Sequence, residues 1–148
     1  MINIKNRQRK IKIDLENITK IAQKILDLIN YPDFDLGILI TTNKSIKKYN
    51  KKYRQKDKPT DILSFPYHNE LKAGQAIKIK NEEDKNLGDL IISIEYVQKA
   101  AKELNQNFDS HLKMLLVHGI LHLLGYDHIK DKDYEVMQKE EQRILKKI

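Results

Sequence analysis

The feature that most constrains this chain is a short run at 117–128, which holds three of its five histidines. His118 and His122 are four residues apart, so on a helix they lie on one face, about 6 Å apart at Cβ. Gly125 can take the left-handed conformation that ends a helix, and the chain can then turn and bring His128 back toward the pair. Three imidazoles that converge on one point predict a metal site, and in a chain without cysteine one Zn²⁺ per chain is the leading candidate.

The helix around these histidines is apolar on nearly every side. Steps of 100° per residue place His111, His118 and His122 on one narrow face. The other faces carry leucine, isoleucine and valine, and only Lys113 interrupts them. Such a helix is buried, so its histidines lie inside the protein or on the floor of a cleft. Ordinary core histidines are the alternative, but their spacing and the position of Gly125 favour metal binding.

Length and composition limit the remaining possibilities. The 148 residues fit one domain, 1–148, with a sizeable core. No apolar run is long enough to span a membrane, and no signal peptide is evident, so together with the absence of cysteine a cytoplasmic location is expected. The net charge of +7, from 28 basic and 21 acidic residues, predicts attraction to polyanions such as RNA, DNA or an anionic membrane.

The order of periodic segments along the chain predicts the fold class. Alternating or continuous apolar residues indicate strands at 2–5, 34–41, 60–66 and 87–92. Helices are expected after the candidate N-caps Asp14, Thr42 or Asn43, and Ser93, and two more are expected to begin at Asp109 or Ser110 and at Asp131 or Asp133. The resulting pattern β-α-β-α-β-β-α-α-α predicts an α+β fold, a small mixed sheet packed with about five helices, with the metal site on a central buried helix. The polar segment 68–86 is expected to be either a mobile loop or a weak hairpin through 76–79, and its length suggests a lid or simple variability.

Basic residues are concentrated in the second predicted helix and just after it. The segment 44–58 contains eight basic residues and one acid, with Tyr49 and Tyr53 among them. Such a face could contact phosphates while the rings stack on bases, or it could be a solvated lysine face with both tyrosines in the core. We expect the tyrosines to lie in the core.

Three protein ligands leave a fourth tetrahedral position open, which is typical of a catalytic zinc site. A water there would have its pKa lowered to about 7, and amide or phosphodiester hydrolysis would both be possible. The spacing matches the metzincin proteases, but Gly119 stands where they have the catalytic Glu, which argues against a zinc peptidase. A phosphodiester instead needs cationic partners, and Arg54 is the obvious source. A non-catalytic module with a structural zinc is a third possibility, with Asp127 or His111 as the fourth ligand.

The sequence H-G-x-L-H-L-x-G-Y-D-H at 118–128 resembles the signature of the YbeY family of bacterial endoribonucleases. Two further stretches resemble that family in the same order, Asn50 to Phe65 and Leu87-Gly88-Asp89. The resemblance implies a single-strand-specific, zinc-dependent endoribonuclease that acts in 16S ribosomal RNA 3′-end maturation and in ribosome quality control. It also implies RNA and the ribosome or its proteins as partners.

The same resemblance assigns roles to individual residues. It implies that His118, His122 and His128 are the zinc ligands, and that Arg54 is the catalytic residue that holds the scissile phosphate. Asp61 and Asp89 match family positions, where each is either structural or a carboxylate that orients a ligand histidine. Asp127 is expected to make the turn before His128, and His111 is expected to have a core role or to support a ligand.

Overall fold

The order of elements matches the sequence pattern. The computed structural model describes residues 1–148, and they form an α+β fold. The strands are β1 (Ile2–Asn6), β2 (Asp35–Thr41), β3 (Ile62–Pro66) and β4 (Asn86–Ser93). The helices are α1 (Leu15–Leu28), α2 (Asn43–Arg54), α3 (Ile94–Glu103), α4 (Phe108–Leu123) and α5 (Asp131–Leu145). None of the helices has the length and apolar character needed to cross a membrane.

The four strands form one mixed sheet in the order β1-β2-β4-β3. β1, β2 and β4 are parallel, whereas β3 pairs antiparallel with β4 at the edge. Alternate residues of β2, namely Leu36, Ile38 and Ile40, are almost fully buried on the face that α4 covers. The period-two alternation of a half-buried strand is therefore what orients the sheet toward the helices.

The histidine-bearing helix α4 is the centre of the fold, as predicted. It contacts β3, β4, α1, α3 and α5. Leu116, Val117, Ile120 and Leu121 are completely buried, and they belong to one core cluster that also includes residues of α1 and β2. A helix enclosed on so many sides holds its side chains in fixed positions, because a close-packed interior leaves few voids.

Polar side chains set the starts of the helices. The predicted caps Asp14, Thr42 and Ser93 are confirmed. Each side chain accepts a hydrogen bond from the backbone N–H of the residue three positions further along the chain. The predicted start of α4 at Asp109 or Ser110 is wrong. Asn107 caps this helix by accepting from the backbone N–H groups of Asp109 and Ser110, and an Asn is as good an N-cap as an Asp.

The polar segment 68–86 forms no hairpin. It consists of turns and one short 3₁₀ helix, Glu82–Asp84. A ring nitrogen of His68 lies 2.8 Å from the backbone oxygen of Asp84, and the Ile77 N–H donates to the hydroxyl of Tyr31 at 3.1 Å. These bonds tie the loop to itself and to the body of the protein.

We expect Gly88→Ala to destabilise the protein strongly. Gly88 has φ +120°, and a Cβ there would lie 2.2 Å from the backbone oxygen of Phe65 on β3. The free energy of unfolding should fall by about 3 kcal/mol in urea titrations, since backbone strain and overpacking add. Gly74→Ala is the matched control, because Gly74 also has positive φ (+80°) but nothing lies within 4 Å of its added Cβ. It should cost about 1 kcal/mol, and equal losses for both variants would contradict the packing argument.

Candidate metal centre

The structure brings the three predicted histidines together. One ring nitrogen from each of His118, His122 and His128 lies within 4.8 Å of the other two. The first two project from one face of α4, and the third lies in the bend between α4 and α5. The Nε2 atoms of His118 and His122 are 3.0 Å apart. Two ligands that are each about 2.1 Å from an ion lie within about 4.2 Å of each other, so this pair fits a shared Zn²⁺.

The bend that returns His128 depends on Gly125. Gly125 has φ +91°, and a Cβ there would lie 2.1 Å from the backbone oxygen of Leu71 in the polar loop. The Tyr126 N–H donates back to an α4 carbonyl at 3.1 Å, which closes the end of the helix. Asp127 makes the turn, as predicted, because its carboxylate accepts from the Ile129 N–H at 3.2 Å.

In two of the histidines, the hydrogen bond made by the outer ring nitrogen, Nδ1, determines whether the inner one, Nε2, carries a proton. Nδ1 of His122 lies 2.8 Å from the backbone oxygen of Tyr126, and Nδ1 of His118 lies 3.1 Å from Oε2 of Glu141. A carbonyl oxygen and a carboxylate only accept, so both Nδ1 atoms carry the proton. When both rings are neutral, their Nε2 atoms then present lone pairs to each other across 3.0 Å. That arrangement is repulsive unless a cation is shared between them, and it matches the outer hydrogen bonds of metal-ligating histidines.

The environment of His122 favours the neutral ring that a metal ligand must be. Burial lowers the pKa of His122 below its ordinary value, and the nearby rings of His118 and His128 lower it further. The hydrogen bond to the Tyr126 carbonyl opposes this by stabilising the charged form, but burial is the larger effect. At neutral pH this imidazole is therefore available as a ligand.

The three histidines line a cleft of about 750 Å³. Its cationic lining side chains are Arg54, Lys56 and Lys58, which come from the end of α2 and the following loop. One terminal nitrogen of Arg54 donates to the backbone oxygen of Ser64 at 2.7 Å, which holds the guanidinium beside β3. The predicted catalytic arginine and the three predicted ligands therefore share one cleft.

A buried amide positions the basic loop at the edge of this cleft. Asn50 is 3 % exposed, and its side chain donates to the backbone oxygen of Lys58 at 2.9 Å. The backbone oxygen of Asn50 accepts from the Lys56 N–H at 3.3 Å. Gln55 ends α2 with φ +59°, so the chain turns back at once. The two lysines are thereby held beside Arg54.

Comparisons with known proteins identify relatives over nearly the whole chain. The family model described as Endoribonuclease YbeY matches residues 3–148. The chain belongs to the YbeY family. Proteins named Endoribonuclease YbeY are 38% identical in Caldicellulosiruptor bescii, where 97% of this chain and 94% of the relative are covered, and 35% identical in Homo sapiens, where 96% and 84% are covered. A solution structure from Thermotoga maritima is 27% identical, with a TM-score of 0.61 and coverage of 99% of this chain and 91% of that one.

The two acidic residues that match YbeY family positions do not orient a histidine. The Asp61 carboxylate accepts from the backbone N–H of Ile62 at 2.6 Å, so it stabilises the start of β3. Asp89 lies on the face of the sheet that points away from α4, where it pairs in register with Gly37 and Phe65. The histidine-orienting role considered for each residue is therefore wrong, and the structural role is supported for Asp61.

Sequence reasoning missed the carboxylate that does contact a ligand, Glu141 on α5. Met137 and Ile144 are the buried residues of this helix, and Glu141 lies four residues after one and three before the other. A Glu at that spacing falls on the buried face. A charged residue on an apolar stripe was the signal available in the sequence, because such a residue needs a partner inside the protein.

His111 shares a face of α4 with the ligands but does not join them. It is 4 % exposed, and its Nδ1 lies 2.8 Å from the side-chain oxygen of Gln106. No further His, Asp or Glu side chain belongs to the group formed by the three histidines. The fourth protein ligand that a structural zinc would need is therefore missing, since Asp127 is engaged in the turn.

Gly119 allows α4 to approach the sheet. A Cβ at this position would lie 2.6 Å from Cδ1 of Ile62 and 3.0 Å from Cδ2 of Leu90. The Gly119 backbone oxygen also accepts from the hydroxyl of Ser64 on β3 at 3.3 Å. A side chain in this position would require the ends of the Ile62 and Leu90 side chains to shift, and glycine itself supplies no general base of the metzincin kind.

The two tyrosines of α2 differ in exposure. Tyr49 is half-buried beside the small cluster under this helix, whereas Tyr53 is 47% exposed. The expectation that both lie in the core is wrong for Tyr53. This residue lies in the last turn of α2, beyond the part of the helix that is covered by the buried cluster of Ile46, Leu63 and Ile91.

We expect Glu141→Gln to weaken binding of a divalent metal by about 10- to 100-fold, because a neutral amide supports the ligand histidine less well. Metal affinity is measured by competition with a chromophoric chelator, independently of any activity. Glu135→Gln is the matched control, since Glu135 is an exposed residue of the same helix. An unchanged affinity in Glu141→Gln would show that this carboxylate does not support the site.

Proposed function

We propose that this protein is a single-strand-specific, zinc-dependent endoribonuclease that acts in maturation of the 16S ribosomal RNA 3′ end and in ribosome quality control. The observation that carries the proposal is the cleft that the three histidines line together with Arg54, Lys56 and Lys58. Membership of the YbeY family, whose curated relatives are named endoribonucleases, supports RNA cleavage. We assign this activity to a single domain over 1–148, with the ribosome or its proteins as partners and the cytoplasm as the location.

His118, His122 and His128 would hold one Zn²⁺ through their inner nitrogens. When bound, the ion would supply Lewis acidity toward a phosphoryl oxygen and lower the pKa of a coordinated water. The hydrogen bonds from His118 to Glu141 and from His122 to the Tyr126 carbonyl keep the rings in the orientation and tautomer that this requires.

Arg54 would hold the phosphate that is cleaved. A guanidinium binds phosphate bidentately and stays charged at every pH of interest. Its bond to the Ser64 carbonyl uses one terminal nitrogen and leaves other N–H groups for substrate. Lys56 and Lys58 would hold the neighbouring phosphates of the strand, and the net charge of +7 would favour encounter with RNA.

Peptide hydrolysis is disfavoured by the structure of the site. Its expected general base is replaced by Gly119, which has no side chain to move a proton. The cationic cleft suits an anionic substrate better than a peptide bond. A panel of unstructured peptides should therefore survive incubation with the metal-loaded protein.

We expect His118→Ala and His122→Ala to abolish cleavage of a 5′-labelled single-stranded RNA. A chelator should abolish the activity of the natural protein, and added Zn²⁺ should restore that activity but not the activity of the variants. The products are resolved on denaturing gels, with the same sequence as a perfect duplex for the strand-specificity control. Undiminished cleavage in the chelator, after the protein's metal content has been shown to be negligible, would contradict a metal-dependent nuclease.

We expect Arg54→Glu to reduce RNA cleavage by at least about 100-fold, because a charge that stabilises the reacting phosphate is replaced by one that repels it. The metal content and the circular dichroism spectrum should not change, since Arg54 lies at the exposed edge of β3. Lys99→Glu is the charge-matched control, because Lys99 is an exposed residue of α3, which does not line the cleft. Retained cleavage in Arg54→Glu would exclude the phosphate-holding role.

A further inference from the structure

The face of the sheet opposite α4 is only partly covered. Helix α2 packs over one part of it, where Ile46, Leu63 and Ile91 form a small buried cluster. Beside this cluster lies an open depression of about 650 Å³, lined by residues of β1, β2, β3, β4 and α2. We call it the sheet-face depression. Its aromatic residues are Tyr49, Tyr53 and Phe65, and its basic residues are Lys5 and Arg7.

The aromatic side of the depression presents a ring that is exposed but supported. Tyr53 is 47% exposed, and its ring centre lies 5.3 Å from that of Phe65, nearly edge-on. The ring of Tyr49 lies 6.4 Å away and almost parallel to it. Neighbouring rings restrict the motion of Tyr53, so little conformational entropy would be lost when a flat ligand stacks on it.

The depression adjoins the metal cleft at the edge strand β3. Ser64 and Pro66 line the metal cleft, whereas Phe65 lies between them in the sequence and lines the depression. Arg54 bridges the two sides: it lines the metal cleft, and its guanidinium carbon lies 5.3 Å from the Phe65 ring centre. A single strand that leaves the cleft past this arginine would therefore reach the aromatic rings after crossing one strand of the sheet.

The floor of the depression carries an exposed carboxylate beside the aromatic ring. Gly37, Asp89 and Phe65 are register neighbours across β2, β4 and β3. A Cβ at Gly37 would lie 2.1 Å from Oδ1 of Asp89, so the missing side chain makes room for the carboxylate on the sheet surface. No hydrogen bond or ion pair within the protein engages the Asp89 side chain, so both of its oxygens are free to accept from a ligand.

We propose that the sheet-face depression binds a guanine nucleotide of the RNA strand, close to the bond that is cut in the metal cleft. The base stacks on the exposed ring of Tyr53, which Phe65 supports nearly edge-on, and its Watson–Crick edge donates two adjacent N–H groups to Asp89. Lys5 and Arg7 contact the phosphates on the other side. Aromatic stacking combined with hydrogen bonds to a base edge is how proteins recognise unpaired RNA. This inference rests on the proposed function, since it requires RNA in the neighbouring cleft.

Fluorescence anisotropy of a labelled single-stranded RNA tests the stacking. The full-length protein is used with a chelator that blocks cleavage, and circular dichroism confirms that each variant is folded. Tyr53→Ala should weaken RNA binding roughly 5- to 100-fold, whereas Tyr53→Phe should retain it, since the ring is kept. Tyr134→Ala is the matched control, because Tyr134 is 51% exposed on α5, away from both the cleft and the depression.

The same assay tests the preference for guanine. The probes are otherwise identical uridine-rich oligomers that contain one guanosine or one adenosine. The natural protein should bind the guanosine probe roughly 10-fold more tightly. Asp89→Asn should remove that preference while it leaves binding of the adenosine probe nearly unchanged, because an amide offers only one acceptor oxygen to the base edge.

The outcomes separate this inference from the proposed function. If the protein neither binds nor cleaves single-stranded RNA, the proposed function is wrong and the inference with it. If RNA is bound and cleaved but Tyr53→Ala and Asp89→Asn bind both probes as the natural protein does, only the inference is overturned. The depression would then serve a different class of ligand, such as a protein partner.

Discussion

The metal site depends on the burial of one helix. Because α4 is apolar on nearly every side, it is stable only when other elements enclose it, and β3, β4, α1, α3 and α5 do so. That enclosure fixes the backbone of α4, and the Nε2 atoms of His118 and His122 lie 3.0 Å apart on its cleft-facing side. The position of these two histidines is thus set by the packing of the core, which is far more rigid than a loop.

Two glycines allow neighbouring segments of the chain to come close enough for this arrangement to form. Gly119 allows α4 to contact the side chains of Ile62 and Leu90, and Gly125 allows the bend to contact the backbone at Leu71. The first contact aligns α4 with β3, which carries one wall of the cleft. The second fixes the turn that returns His128. Both glycines lie within the histidine motif, so the motif specifies the surroundings of the ligands as well as the ligands themselves.

Short-range patterns in the sequence were enough to predict the elements and the convergence of the three histidines. Asp14, Thr42 and Ser93 act as caps through bonds to residues three positions away, which sequence spacing reveals directly. Glu141 was missed because its contact with His118 spans 23 residues and depends on how α5 packs on α4. Tyr53 was misplaced for a related reason, since its ring lies beyond the part of α2 that the sheet covers.

The position of β3 explains why the metal cleft and the sheet-face depression adjoin in so small a protein. As an edge strand, β3 has only β4 as a neighbour, and its alternate side chains point to opposite faces. Ser64 therefore faces α4 and the metal cleft, whereas Phe65 faces the sheet-face depression. Arg54 closes over this free edge by bonding to the Ser64 carbonyl and lying against the Phe65 ring. One arginine thus blocks an edge that could pair with another strand, and it places a positive charge where the two surfaces meet.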